Sequence, residues 1–196
     1  MSPVLMLTVV GLSFHGVGLA AVVWLLRSER KSWSDGFGFF RLPGRSIRLA
    51  VLGVLVVAPV LYGVHDVSAK ILKKWGVEVA TQSSVELLIH SGWGTRSVIA
   101  FFALLLAPLV EELLFRGLFF PVLLDLELPG MAWGGTAILF GLIHGNAAAF
   151  VPLTLFGAFL AWLYHRTNNL LAPIVAHMMF NLIPFVLVLG GVSMEI

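Results

Sequence analysis

The chain contains no cysteine, which excludes disulfides, thiolate nucleophiles and cysteine-built zinc sites and leaves the redox compartment unspecified. Charge is scarce too: 11% of the 196 residues are Asp, Glu, Lys or Arg, against 59% hydrophobic. A soluble domain of this length needs far more polar surface to cover its core. The composition, with a mean hydropathy of +1.00, therefore selects an integral membrane protein before any motif is read. Also missing are internal repeats, low-complexity tracts and any recognisable nucleic-acid-reading module. The basic cluster Arg27, Arg30, Lys31, Arg41, Arg45 and Arg48, facing only Glu29 and Asp35, thus reads as a cytoplasmic loop between two apolar runs. The lipid bilayer is an expected partner and nucleic acid is not.

A membrane helix needs about 20 mostly apolar residues. About six segments qualify: 4–26, 47–64, 96–122, 131–147, 148–165 and 170–191. Charges separate the first two, Asp125 to Gly130 ends the third, and Gly145-Asn146 and Thr167-Asn168-Asn169 supply turn chemistry. The expected fold is all-α, a polytopic transmembrane helical bundle of about six spans. An amphipathic surface helix is expected within 65–95, where Val67, Ile71, Leu72 and Trp75 share one face and Asp66, Lys70, Lys73 and Lys74 lie elsewhere. No base precedes the first apolar run and its bases follow it, so it reads as a retained span of a multi-pass cell-membrane protein with its N-terminus outside. Arg166 then joins the basic loop inside, while Lys70, Lys73, Lys74 and Arg96 lie outside.

Ionisable groups at the bilayer centre cost about 2.5 to 3.5 kcal/mol each on insertion scales, and they concentrate in the second half of the chain. Glu111, Glu112 and Arg116 sit inside the third segment, His144 closes the fourth, and His177 and Asn181 lie inside the sixth. Glu112 and Arg116 are spaced i, i+4 with the acid first, the favourable order for a pair. Glu111 is about 100° further round the helix, so one arginine does not serve both acids. His177 and Asn181 share a helix face. Pro108 removes a backbone bond near Leu104 and is expected to bend the third helix just before the acids.

Each feature also has a structural explanation. Glu112 and Arg116 read as an ion pair locking helices, His177 with Asn181 as interhelical hydrogen-bonding glue, and His144 as an interfacial histidine. These explanations fit the set poorly, because an unpaired acid, two histidines and an amide fall on three segments. A shared polar cavity accounts for them better. His15, His65, His90 and His165 read as structural, and Gly11, Gly157 and Ala161 as small residues permitting close helix contact.

Glu-Glu-x-x-x-Arg, then Phe-x-x-x-His, then His-x-x-x-Asn, each in an apolar segment, resembles the CPBP family of intramembrane proteases, which includes CAAX prenyl endopeptidases and bacteriocin-immunity proteins. The likeness covers about 104–185 and includes the approach Asn169-Leu-Leu-Ala-Pro-Ile-Val-Ala-His177. It divides the chain into an N-terminal membrane region, 1–95, and a CPBP-like catalytic helical core, 96–196. The resemblance implies an intramembrane endopeptidase in which Glu111 activates water, His144 holds it, and His177 with Asn181 stabilises the oxyanion. Glu112 and Arg116 give structural support. No cofactor is expected on this reading. The alternative is a zinc ion on Glu111, His144 and His177, like catalytic His₂Glu sites. The expected substrate is a membrane protein or a lipidated, membrane-anchored peptide. Rival readings are a non-catalytic immunity or sorting module binding in the same cavity and, more weakly, a proton-relaying transporter. One difficulty arises in a core about 30 Å thick. There His144 sits about 22 Å from the inner boundary and Glu111 only about 8 Å from it, at 1.5 Å per residue.

Overall fold

The computed structural model describes residues 3–30, 32–79 and 83–191. The described residues are helical without strands: α1 (Pro3–Ser28), α2 (Trp33–Phe37), α3 (Pro43–Lys74), α4 (Ser83–His90), α5 (Trp93–Asp125), α6 (Met131–Ile143), α7 (Ala147–Thr167) and α8 (Leu171–Leu189). Five of them, α1, α3, α5, α7 and α8, are long and apolar enough to cross a membrane. This is the polytopic helical bundle that the composition demands.

Two expectations need correction. Segment 131–147 is not a sixth full span, because α6 ends at Ile143. It covers about 20 Å at 1.5 Å per residue, short of an about 30 Å core. Gly145, at φ +61°, turns the chain, and Asn146 restarts it by accepting the Ala149 N–H at 2.9 Å. Nor is there a separate surface helix over 65–75, since α3 runs unbroken through His65 to Lys74. Charge does not stop a helix. Asp66 and Lys70 form an i, i+4 ion pair at 2.6 Å, and α3 ends only where Gly76 takes φ +74°. The separate short helix of this region is α4, over Val85, Leu88 and Ile89.

Hydrocarbon offers little hydrophobic drive between helices, so close approach through small residues decides the packing. Ala50, Val54, Ala58 and Leu61 of α3 form a buried stripe against Phe156, Leu160 and Leu163 of α7 and Ala172 and Ala176 of α8. Leu52, Leu55, Val56 and Val60 on the opposite face stay exposed. On α1, a Cβ added at Gly11 would lie 2.6 Å from Phe102, and one at Gly18 would lie 2.9 Å from Val110. Glycine lets α1 lie directly on α5.

The basic segment is tied to the α7–α8 turn. Asn169, fully buried, donates from Nδ2 to the carbonyls of Phe39 and Arg41 at 3.3 and 2.8 Å, and the Leu170 N–H donates to Phe37 O. Arg166 therefore lies at the same end of the bundle as the basic loop. The depth difficulty disappears through the length of α5, 33 residues. Glu111 stands about 21 Å before its end at Asp125, and His144 about 20 Å beyond the start of α6 at Met131, at 1.5 Å per residue.

Candidate active site

The acids sit on a stretch of α5 framed by two wide turns. Phe102–Leu106 and Phe115–Phe119 each run at five residues per hydrogen bond, and Pro108 and Pro121 follow just after them. A proline in a helix cannot donate and crowds the carbonyl four residues back. The turn just before Pro108, Phe102–Leu106, is widened, a geometry often found at functional sites. Between the wide turns, Ala107–Leu114 is regular and carries Glu111 and Glu112 on adjacent faces.

Glu112 and Arg116 are fully buried. Arg116 Nη1 donates to Glu112 Oε1 at 2.9 Å, and Nη2 donates to Gly157 O on α7 at 2.8 Å. The guanidinium also lies over the Phe140 ring at 4.8 Å and the Phe115 ring at 5.5 Å. Glu112 Oε1 accepts a second hydrogen bond, at 2.9 Å, from His177 Nδ1. A carboxylate only accepts, so the proton sits on Nδ1 and the other ring nitrogen is directed elsewhere. That nitrogen, Nε2, lies 4.0 Å from Glu111 Oε2. His177 is 3% exposed, and Phe140 and Phe156 pack edgewise on its ring at 5.5 and 5.7 Å. Arg116, Glu112, His177 and Glu111 thus form one chain of contacts from the buried interior to a cavity. Its terminal oxygen, Glu111 Oε2, makes no hydrogen bond to the described residues.

Glu111, His144, His177 and Asn181 line one cavity of about 250 Å³, walled by Val85, Leu87, Leu88, Ile99, Phe102 and Phe185 among others. His144 Nδ1 donates to Phe140 O at 2.7 Å, which leaves Nε2 as the atom available to a ligand. Asn181 Nδ2 donates to Ala103 O on α5 at 2.9 Å. A second lobe, about 100 Å³, shares His144, His177, Asn181, Val85 and Pro184 and extends between α3, α7 and α8. Tyr62 stacks on Phe180 at 5.7 Å and Phe180 on Phe156 at 4.2 Å, making one side of this lobe an aromatic wall.

All four residues read from sequence as catalytic meet at one cavity, and both supporting residues lie directly behind it. Sequence reasoning missed Tyr62 and His65, which line the second lobe. His65, read from the sequence as structural, lies inside α3. It also missed the carbonyls of Gly157 and Ala103 as partners. Only the smallness of Gly157 was a usable signal. A Cβ there would lie 3.2 Å from Ala137 Cα and from Phe140 Cβ. Gly157→Ala is expected to push α6 from α7, loosen the Arg116 contact and cost about 1–3 kcal/mol. A thermal unfolding midpoint equal to wild type in detergent would contradict this.

The zinc alternative requires Glu111, His144 and His177 to converge. Among the described residues, no three His, Asp or Glu side chains come together to hold a metal ion. The described residues as placed do not form a three-ligand zinc site.

Comparison with known proteins points to the same part of the chain. Residues 93–183 match the family model described as Type II CAAX prenyl endopeptidase Rce1-like. The chain is 31% identical over 77 residues to "Putative membrane peptidase YdiL" of Bacillus subtilis (strain 168), covering 39% of this chain and 32% of that protein. It is 26% identical over 163 residues to "CAAX prenyl protease 2" of Homo sapiens, covering 73% of this chain and 47% of that protein. The chain therefore spans about a third and about half of the length of these two curated relatives. No solved structure matches it significantly. The matched stretch, 93–183, carries both acids, the two cavity histidines and the asparagine, and it is similar to the type II CAAX prenyl endopeptidase Rce1-like family.

Proposed function

We propose that the chain is an intramembrane endopeptidase that hydrolyses a peptide bond in a lipidated or otherwise membrane-anchored protein, using water activated by Glu111. The observation that carries this reading is the meeting of Glu111 Oε2 and His177 Nε2 at 4.0 Å in a cavity that also presents His144 and Asn181. Peptide hydrolysis needs a base for water and donors for the tetrahedral oxygen, and both kinds of group face this space.

The contacts support a role for each group. Glu111 takes a proton from water that also donates to His144 Nε2. The resulting hydroxide attacks the scissile carbonyl, and the C–O bond forms as the carbonyl becomes an oxyanion. With the water's proton held on Glu111, a His177 ring protonated on both nitrogens donates from Nε2 to the oxyanion, joined by the second N–H of Asn181. The C–N bond then breaks, and Glu111 returns its proton to the leaving amine. Glu112 and Arg116 hold the His177 ring and do not meet substrate. A water-poor cavity strengthens each of these interactions.

The basic end of the bundle, with the 27–48 segment and Arg166, faces the cytoplasm on this reading, in a multi-pass cell-membrane protein. The test is cleavage by the purified full chain in liposomes, offered farnesylated C-terminal peptides and unlipidated transmembrane peptides. Cleavage of either set is expected, and it should survive o-phenanthroline. Loss of activity on chelation with recovery on added zinc would replace the glutamate mechanism with the zinc alternative.

A further inference from the structure

The turn before the acids has a hydrogen-bonding gap. In α5 the Ala107 N–H reaches back five residues to Phe102 O, so it does not serve Ala103 O four residues back. The next residue, Pro108, has no N–H to offer. Ala103 O is thereby denied both the four-residue and the five-residue backbone partner. At membrane depth an unpaired carbonyl is costly, because no bulk water replaces the missing bond. The donor that fills the gap comes from another helix: Asn181 Nδ2 on α8 lies 2.9 Å from Ala103 O.

We infer that Asn181 is a positioning residue whose amide replaces the backbone hydrogen bond lost at Pro108, pinning α8 to α5 so that Glu111 and His177 face each other. The placement fits this role. Ala103, Ala107 and Glu111 line the same wall of the cavity, so the pinned carbonyl and the acid share one face of α5. Asn181 lies one turn beyond His177 on α8, so the bond sets the height of His177 against Glu111 and Glu112. A one-residue slip along either helix would move these groups by about 1.5 Å, enough to separate Nε2 from Oε2. Phe120 and Pro121 repeat the pattern at the second wide turn, where the Phe120 N–H reaches Phe115 O. A wide turn followed two residues later by proline is thus a recurring device of this helix.

The proposal rests on the protease reading only for its kinetic arm, and its thermal arm stands alone. Asn181→Leu keeps the volume and removes the donor, while Pro108→Ala returns an N–H to the turn. In the purified full chain, Asn181→Leu is expected to lower Tm and to cut kcat by about 100-fold or more, because an about 1 Å misplacement is joined by loss of the N–H offered to the oxyanion, with a smaller change in KM. Adding Pro108→Ala should recover most of the Tm and part of the kcat. Should Asn181→Leu alone fail to fold, the double variant must fold. A double variant no more stable than Asn181→Leu overturns the inference, as does an Asn181→Leu protein with wild-type Tm. If the wild type cleaves nothing, the protease reading fails, and the two Tm values still decide the pin.

Discussion

Glu111→Gln is expected to lower cleavage by about 10³-fold or more, within the range ascribed to a general base, while leaving the protein as stable as wild type or slightly more so. Glutamine keeps the shape and takes up no proton from water. Glu111 gives little to the fold in exchange for its place, because its Oε2 has no hydrogen bond to the described residues and Arg116 is committed to Glu112. An acid kept for its chemistry at little gain to the fold would show the usual conflict between activity and stability. Tm in detergent and initial cleavage rate in liposomes measure the two halves of the prediction separately.

The neighbouring glutamate should behave in the opposite way. Glu112 is fully buried and accepts from both Arg116 and His177 at 2.9 Å. Glu112→Gln leaves the Arg116 charge uncompensated in the interior, which typically costs about 3–5 kcal/mol. The companion test replaces the whole pair. Glu112→Leu with Arg116→Met removes both charges together, and such replacements are often neutral or stabilising. The double variant is expected to regain stability and to stay inactive, because His177 Nδ1 has lost the acceptor that orients the ring. A double variant that is stable and fully active would show that the pair serves packing alone. On the proposed mechanism, two adjacent glutamates are expected to differ in role because their neighbours differ.

Much of this was legible in the sequence, and what was not has physical reasons. The second, third and fifth apolar segments lie within α3, α5 and α7, the sixth spans α8 and overruns its ends by a residue or two, and their polar residues converge because spacings of four place side chains on one face. The ends of α3 and α5 were misread because hydropathy marks where hydrocarbon stops, whereas a helix stops where its backbone turns. His65 to Lys74 is charged and yet helical, and Gly76 ends it. The same error created the depth difficulty, since α5 continues past the apolar run to Asp125. Segment 131–147 was long enough by composition, but the Gly145-Asn146 turn cuts it to α6. The contribution of α3 to the second lobe through Tyr62 and His65 was invisible, because neither residue is spaced with the others. The Ala103–Asn181 bond was hidden for another reason. It depends on a missing N–H, and the sequence shows Pro108 without showing which carbonyl it leaves unpaired.

The central claim is that Glu111 is the base of a protease working in the membrane. Its most direct test compares protein termini in membranes of cells carrying wild type with those carrying Glu111→Gln, at equal abundance and under conditions that need the protein. New termini present only with wild type are predicted, and their sequences would identify the substrate and the depth of the cut. Identical termini in both membranes would contradict the account and favour a module that binds in the same cavity without cutting.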